Sequence, residues 1–528
     1  MRVLRRTLGT LLLLASVASC ATARGDDAKP GGPRPAAPAG FGQLLPAPAS
    51  VRASGSGHVL GPGTVIRTGR TGDAEVRRVG EILAGQLRGP TGLPLPVVDA
   101  PGGGGIELRL DAAAPDLGDE GYRLESGPRA VTLTARTPAG LFHAGQTLRQ
   151  LLPTAGAGTI PGGTVTDAPR FAYRGAMLDI ARHFFTTEQV KRYVDQLAQY
   201  KVNALHLHLT DDQGWRIAID SWPRLAEYGG GSEVGGGPGG YWTKDEYRDL
   251  VRYAAERYVE VVPEIDMPGH VNAALASYAE LNCDGKAPPR YTGTRVGFSS
   301  LCTGIERTYD FVEDVLAEVA ALTPGRYLHI GGDEASATPA ADYAEFMDRA
   351  QQAVARHGKT VVAWHQLAGA RPAPGAVLQY WGHDRTGAAE KERVAAAGKA
   401  GHPVILSPAD RLYLDMKYDA ATKPGLSWAG YVPVRRAYEW DPGAYLAGLP
   451  AGAVLGVEAP LWTETVATRE DLEYMAFPRV LGLAELGWSQ GPPDWAEYGP
   501  RLATQAPRME AQGIGYHRAP DVPWQTRR

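Results

Sequence analysis

From about residue 170 onward, acidic, aromatic and histidine side chains gather at the ends of short apolar runs. One run leads into Asp179-Ile180-Ala181-Arg182-His183, a second into Thr210-Asp211-Asp212, a third into Asp266-Met267-Pro268-Gly269-His270 and a fourth into Gly331-Gly332-Asp333-Glu334. Later runs lead to Trp364, Trp381, Tyr413 with Asp415, and Trp462 with Glu464. Any one of these residues could be structural, since isolated carboxylates are usually solvated and isolated tryptophans usually core. Eight runs with such endings point instead to one shared site. There, carboxylates would move protons or accept from hydroxyls, a guanidinium would donate in a plane, and indoles would wall a ligand. The net charge of −4 suits a neutral ligand and argues against nucleic acid, which selects clustered Lys and Arg.

Two pairs within these runs constrain the chemistry further. Neighbouring side chains on a strand point to opposite sides, so Asp333 and Glu334 are expected to act on different partners rather than face each other across one bond. His206 and His208 would share a face, which is how a metal hydrolase on a barrel begins. No convincing set of His, Lys and Asp follows at later strand ends, so that pair is expected to pack inside the fold. No metal or other cofactor is expected.

The elements that must position these residues are eight candidate strands at 173–180, 204–211, 260–267, 327–334, 360–365, 376–381, 403–407 and 454–462. Amphipathic helices alternate with them. The first helix opens with a possible capping box, Thr186 with Gln189, and the second with Thr243 and Glu246. Eight such units predict an α/β fold, a (β/α)8 TIM barrel over 166–528 with a C-terminal helix, whose site lies at the C-terminal ends of the strands. A doubly wound sheet is the alternative, but no dinucleotide glycine fingerprint is present. Before the barrel, alternating strands at 105–111 and 130–136 and helical patterns at 73–87 and 139–152 predict a small α+β domain over 46–165.

The N-terminus reads differently. Arg2, Arg5 and Arg6 precede an apolar run at 8–17 too short to span a bilayer, the pattern of an export signal. Val17-Ala18-Ser19-Cys20 resembles a lipobox, which implies lipidation of Cys20 and a cell-surface or secreted protein, held at a membrane only through that anchor. Residues 21–45, rich in Pro, Gly and Ala, read as a flexible tether. Cys283 and Cys302 are the remaining cysteines; export makes a disulfide between them plausible, worth about 3 kcal/mol for a loop of that size.

Gly331-Gly332-Asp333-Glu334, with the runs Leu205 to Asp212 and Pro263 to His270, resembles glycoside hydrolase family 20, and Gly140-Leu141-Phe142-His143 resembles the closing helix of the small domain such proteins carry. The resemblance implies an exo-acting, retaining β-N-acetylhexosaminidase in which the substrate's 2-acetamido group is the nucleophile. Glu334 would protonate the leaving oxygen, its protonated form favoured by an anionic Asp333 in a partly dry pocket. Asp333 would orient the acetamide and Tyr413 would donate to its oxygen, while Asp211 and His270 tune the acid. Arg182, Asp415 and Glu464 would hold ring hydroxyls, and Trp364, Trp381 and Trp462 would wall the pocket. Asp179 and His183 are left as structural support. The substrates implied are chitooligosaccharides or glycoconjugate termini. A non-catalytic amino-sugar-binding protein is the other class, but binding alone has no need of Glu334.

Overall fold

The computed structural model describes residues 40–69 and 73–524. The expected export signal, Cys20 and most of the expected tether lie outside the described residues. The tether was expected to reach residue 45, and here the structure differs: Phe41, Leu44 and Leu45 are buried. Three large apolar side chains within five residues carry enough surface to fold onto the protein, so order begins before the tether's expected end.

The first domain is a seven-stranded mixed sheet in the order Ser50–Ala53, Gly163–Asp167, Tyr122–Ser126, Ala130–Ala135, Gly105–Leu110, Ile66–Arg67, Val97–Val98. Its central strand keeps the alternation legible in the sequence, with Val131, Leu133 and Ala135 buried. The helix Ala74–Thr91 is capped by Asp73 and stopped by Gly92, whose φ of 69° suits glycine. The helix Pro138–Leu151 is buried at every residue from Gly140 on, because the sheet and the helix Ala74–Thr91 pack on it from its own domain and Tyr258, Trp488 and Arg508 reach it from the barrel domain.

The second domain is a closed barrel of eight parallel strands: β1 Tyr173–Asp179, β2 Ala204–His208, β3 Glu260–Glu264, β4 Tyr327–His329, β5 Thr360–Trp364, β6 Val377–Tyr380, β7 Val404–Leu406 and β8 Val454–Leu461. It closes where β1 pairs with β8, from Tyr173 opposite Gly456 to Leu178 opposite Leu461. Both capping boxes are present, at helices α1 (Thr187–Ala198) and α2 (Lys244–Ala255). Inside the barrel, Tyr173, Ala204, Tyr327, Val377 and Ile405 form an apolar plug near the strand starts. His206, Glu264, His329, Gln379 and Glu458 fill the middle without exposure. Met177, Trp364, Tyr413 and Trp462 cluster toward the mouth.

Several strands stop earlier than the apolar runs suggest. β2 ends three residues before Asp211, and β4 ends at His329 rather than Glu334. The backbone leaves the extended region there: Gly331, Gly332 and Glu334 have φ of 63°, 96° and 44°, and His270 has 57°. At Gly331 a Cβ would fall 1.6 Å from Asp266 Oδ1, so only glycine fits that turn.

Candidate active site

At the C-terminal mouth of the barrel lies a cavity of about 430 Å³, lined by Arg182, His270, Asp333, Glu334, Trp381, Tyr413, Asp415, Trp462 and Glu464. The structure therefore brings most of the expected site residues to one place. Two stand behind the wall. Asp211 is buried beneath Arg182 and His270, and Trp364 is fully buried with its ring centroid 5.8 Å from that of Trp462. Trp364 packs there with Met177, Tyr413 and Trp462.

The loops after β3, β6 and β7 add Thr294, Val296, His383, Leu426 and Trp428, which sequence reasoning missed. Trp428 is 44% exposed and meets Trp381, Tyr413 and His383 edge to face at 6.1, 5.9 and 5.9 Å. A lone tryptophan in a long aperiodic loop carries no pattern by which to find it. Thr294 and Val296 lie within the segment closed by a disulfide between Cys283 and Cys302, the pairing expected from export.

Asp333 and Glu334 sit on the left-handed turn after β4, so the expectation that strand alternation separates them is corrected. The turn itself does so. The Asp333 side chain is 11% exposed and the Glu334 side chain 38%. The dry surroundings expected around Glu334 therefore belong to Asp333, whose carboxyl is raised to about 6 by burial and by Glu334, against the pull of His270. Non-glycine residues at positive φ cost energy and are held only by their surroundings, and both Glu334 and His270 are of this kind.

His270 connects this turn to the barrel interior. Its Nδ1 lies 3.2 Å from Asp211 Oδ1, and its Nε2 faces Glu334 at 3.5 Å and Asp333 at 3.8 Å. Burial opposes its charge, but Asp211, Asp333 and Asp266 outweigh burial and raise its pKa well above the ordinary value. The ring then presents a proton to each side. Asp266, whose carboxyl is pushed well up by burial and by Asp333, accepts from Gly332 N at 3.1 Å and so fixes the turn.

Behind Asp211 runs a ladder of alternating charge. His208 Nε2 binds Asp211 at 2.8 Å and its Nδ1 binds Glu264; His206 lies 3.0 Å from Glu264 and 2.9 Å from Glu458. Burial works against both imidazoles, yet the carboxylates hold His206 up at about 9 and His208 well above its usual value. Both rings are buried inside the barrel, each between two carboxylates.

On the other wall, Arg182 Nη2 binds Asp211 at 2.8 Å and its guanidinium lies 4.9 Å from the Trp462 ring centre. Asp179 accepts from the backbone N–H of Ala181, Arg182 and Thr463, and His183 donates its backbone N–H to Thr463 Oγ1, so these two hold the loops as expected. Both Asp415 oxygens and Glu464 Oε2 are buried with no protein partner among the described residues. Burial and Glu464 push the Asp415 carboxyl well up, and burial raises Glu464 despite Arg182. Buried acceptors without partners, beside an arginine and an aromatic wall, are built to be satisfied by a polyhydroxylated ligand. Tyr413, its pKa raised well above the ordinary value by burial and by Asp333 and Asp415, remains a hydroxyl donor.

The chain matches a family model described as glycosyl hydrolase family 20, catalytic domain, over residues 171–491, and one described as glycosyl hydrolase family 20, domain 2, over residues 42–168. It is 42% identical over 455 residues to the beta-N-acetylhexosaminidase of Cellulomonas fimi, across 85% of this chain and 91% of that protein. Among solved structures it is similar to Streptomyces plicatus N-acetyl-beta-hexosaminidase in complex with Thio-NAglucal, with TM-score 0.89 and 62% identity over 92% of this chain and 98% of that one. It is also similar to the exo beta-N-acetylglucosaminidase of Vibrio harveyi in complex with N-acetylglucosamine, with TM-score 0.79 and 28% identity over 94% and 81% of the two chains.

Proposed function

The chain belongs to glycosyl hydrolase family 20, and from that premise we propose how its cavity works as an exo-acting β-N-acetylhexosaminidase. The observation that carries the reading is the convergence of Asp333, Glu334 and Tyr413 on one cavity that also offers Arg182 and the partnerless carboxylates of Asp415 and Glu464. A cavity of about 430 Å³ suits a single terminal sugar, and the relatives of Streptomyces and Vibrio were solved with Thio-NAglucal and N-acetylglucosamine.

In this reading a terminal N-acetylhexosamine lies with its hydroxyls on Arg182, Asp415 and Glu464 and its ring against Trp462. Glu334, at the open side of the pair, gives its proton to the glycosidic oxygen. The acetamide carbonyl oxygen attacks the anomeric carbon as that bond breaks, and a cyclic oxazolinium ion forms. The positive charge develops beside the buried Asp333, which stabilises it, while the Tyr413 hydroxyl donates to the acetamide oxygen and fixes its approach. Glu334, now a carboxylate, takes a proton from water as that water opens the ring, so configuration is retained. An internal nucleophile makes a second, facing carboxylate unnecessary.

Chitooligosaccharides or glycoconjugate termini, ending in N-acetylglucosamine or N-acetylgalactosamine, are the natural substrates in this reading. Lipidation at Cys20 completes it, resting on the basic, apolar and lipobox-like order of the first twenty residues alone. The test of the chemistry compares a chromogenic N-acetylhexosaminide with the same hexoside carrying a 2-hydroxyl. The first should turn over and the second scarcely at all, and a thiazoline mimic of the cyclic ion should bind far more tightly than product. A covalent glycosyl ester on any Asp or Glu would sink the mechanism while leaving the fold intact.

A further inference from the structure

A second cavity, of about 320 Å³, lies far from the barrel mouth, between the helix Ala74–Thr91, the end of the helix Pro138–Leu151 and the helix Ala506–Ala511. Leu87, Pro90, Leu152 and Pro153 give it apolar walls, and none of the residues lining it carries a carboxylate. Arg149 lines it too. Its side chain makes no hydrogen bond or ion pair among the described residues, and Nε and Nη2 are buried without a partner, although the residue is only 8% exposed.

The neighbours do not relieve that charge. Arg508, also buried, spends Nη1 on the carbonyl of Arg149 and Nη2 on those of Gln150 and Leu152, capping the helix end while adding a second positive charge. Gln199 spends its side-chain N–H on Gln512 at 2.9 Å, and its Oε1, a neutral acceptor, makes no bond to Arg149. Burial and Arg508 pull Arg149 down to about 10, with Tyr200 opposing, and at neutral pH it stays charged. A buried cation with no counter-charge destabilises a fold, whereas an apolar side chain of the same volume would not. An arginine kept in such a place fits a site whose missing half is an anion.

We propose that this interdomain cavity binds a monocarboxylate with an apolar body, its carboxylate paired with the Arg149 guanidinium and its chain lying along Leu87, Pro90, Leu152 and Pro153. One uncommitted guanidinium matches one carboxylate in the planar, two-point geometry that arginine favours. The walls favour a hydrocarbon body over a hydrated dianion. The site is independent of the sugar cavity, so its failure would leave the glycosidase reading untouched.

Thermal unfolding of the full chain with sodium octanoate is the test, with acetate, octanol and inorganic phosphate as controls. Octanoate should raise the midpoint progressively with concentration, and acetate or octanol should do so far less. Arg149→Met should unfold at a higher temperature than the parent in plain buffer, lose the octanoate response and keep its turnover of a chromogenic substrate, which reports that it is folded. Should that variant fail to fold, Thr154→Trp, which fills the cavity from its partly exposed rim and leaves Arg149 in place, must also abolish the response. A flat response to octanoate, an equal shift in parent and variant, or a larger shift with phosphate would each overturn the assignment.

Discussion

Asp333 carries the clearest consequence at the scale of single residues. Burial and Glu334 raise its carboxyl to about 6 from an ordinary 3.8, against His270. The folded protein therefore holds that proton more tightly than the unfolded chain. The stabilisation is fully present below the unfolded value and is lost as pH rises through about 6. Asp333→Asn should accordingly be more stable than the parent near pH 8, by thermal melts, and the gap should narrow steadily as pH falls from about 6 to 3.8. A gap of constant size across that range would refute the assignment. The same variant should lose roughly 10² or more in kcat, because it cannot meet the developing positive charge. The acid limb of kcat/KM near pH 6 should disappear with the titrating group. The identity of Asp333 and Glu334 was legible in the sequence because two glycines and a strand precede them. Their environments were not. Which carboxylate is dry depends on a turn whose dihedrals are set by Asp266, 67 residues upstream of Asp333 and visible in the sequence only as part of a motif.

At the scale of elements, the apolar runs located every barrel strand but overran the ends of several. Hydrophobicity persists through Leu209, Ile265 and Ile330, which are buried just past the last strand residue and still donate their N–H groups to Glu264, His329 and Val362 of the next strand, so pattern alone cannot mark where the strand ends. The capping boxes at Thr186 and Thr243 were legible because their signal is local, three residues wide. The loops show the opposite case. Thr294 and Val296 reach the sugar cavity on the segment that the Cys283–Cys302 bond closes. Replacing both cysteines with serine should lower stability by about 3 kcal/mol. It should also raise KM more than it lowers kcat, since the loop contributes wall and not chemistry. Initial rates over a substrate series decide the point, and an unchanged KM would separate the loop from the site.

At the scale of the molecule, the order of a small domain before a barrel was legible from periodicity, whereas the seam between them was not. Its contacts join residues far apart in the chain: Lys201 and Trp488 both donate to Asp167, at 3.0 and 2.8 Å, and Arg174 binds Glu120 at 3.0 Å. The segment first read as tether is part of it. The carbonyls of Gln43 and Leu44 accept from Gln505 and Arg501, at 2.7 and 3.2 Å, and just beyond that segment Ala47 N donates to Glu485 at 2.8 Å. A polypeptide beginning at Phe171 would leave Lys201, Arg174 and Glu485 without these partners and uncover the barrel face that the helix Pro138–Leu151 occupies. It should be recovered aggregated or inactive, as size exclusion and a chromogenic assay would show; a monomeric, active fragment would contradict the seam's importance. The buried helix also bears on descent. Because its residues answer to the sheet on one side and the barrel on the other, a substitution there must suit both domains at once, and neither half is free to be shuffled onto a foreign partner. The two halves should then descend as one unit, and aligned relatives should show residues 41–49, the helix Pro138–Leu151 and the barrel's last helices substituting together.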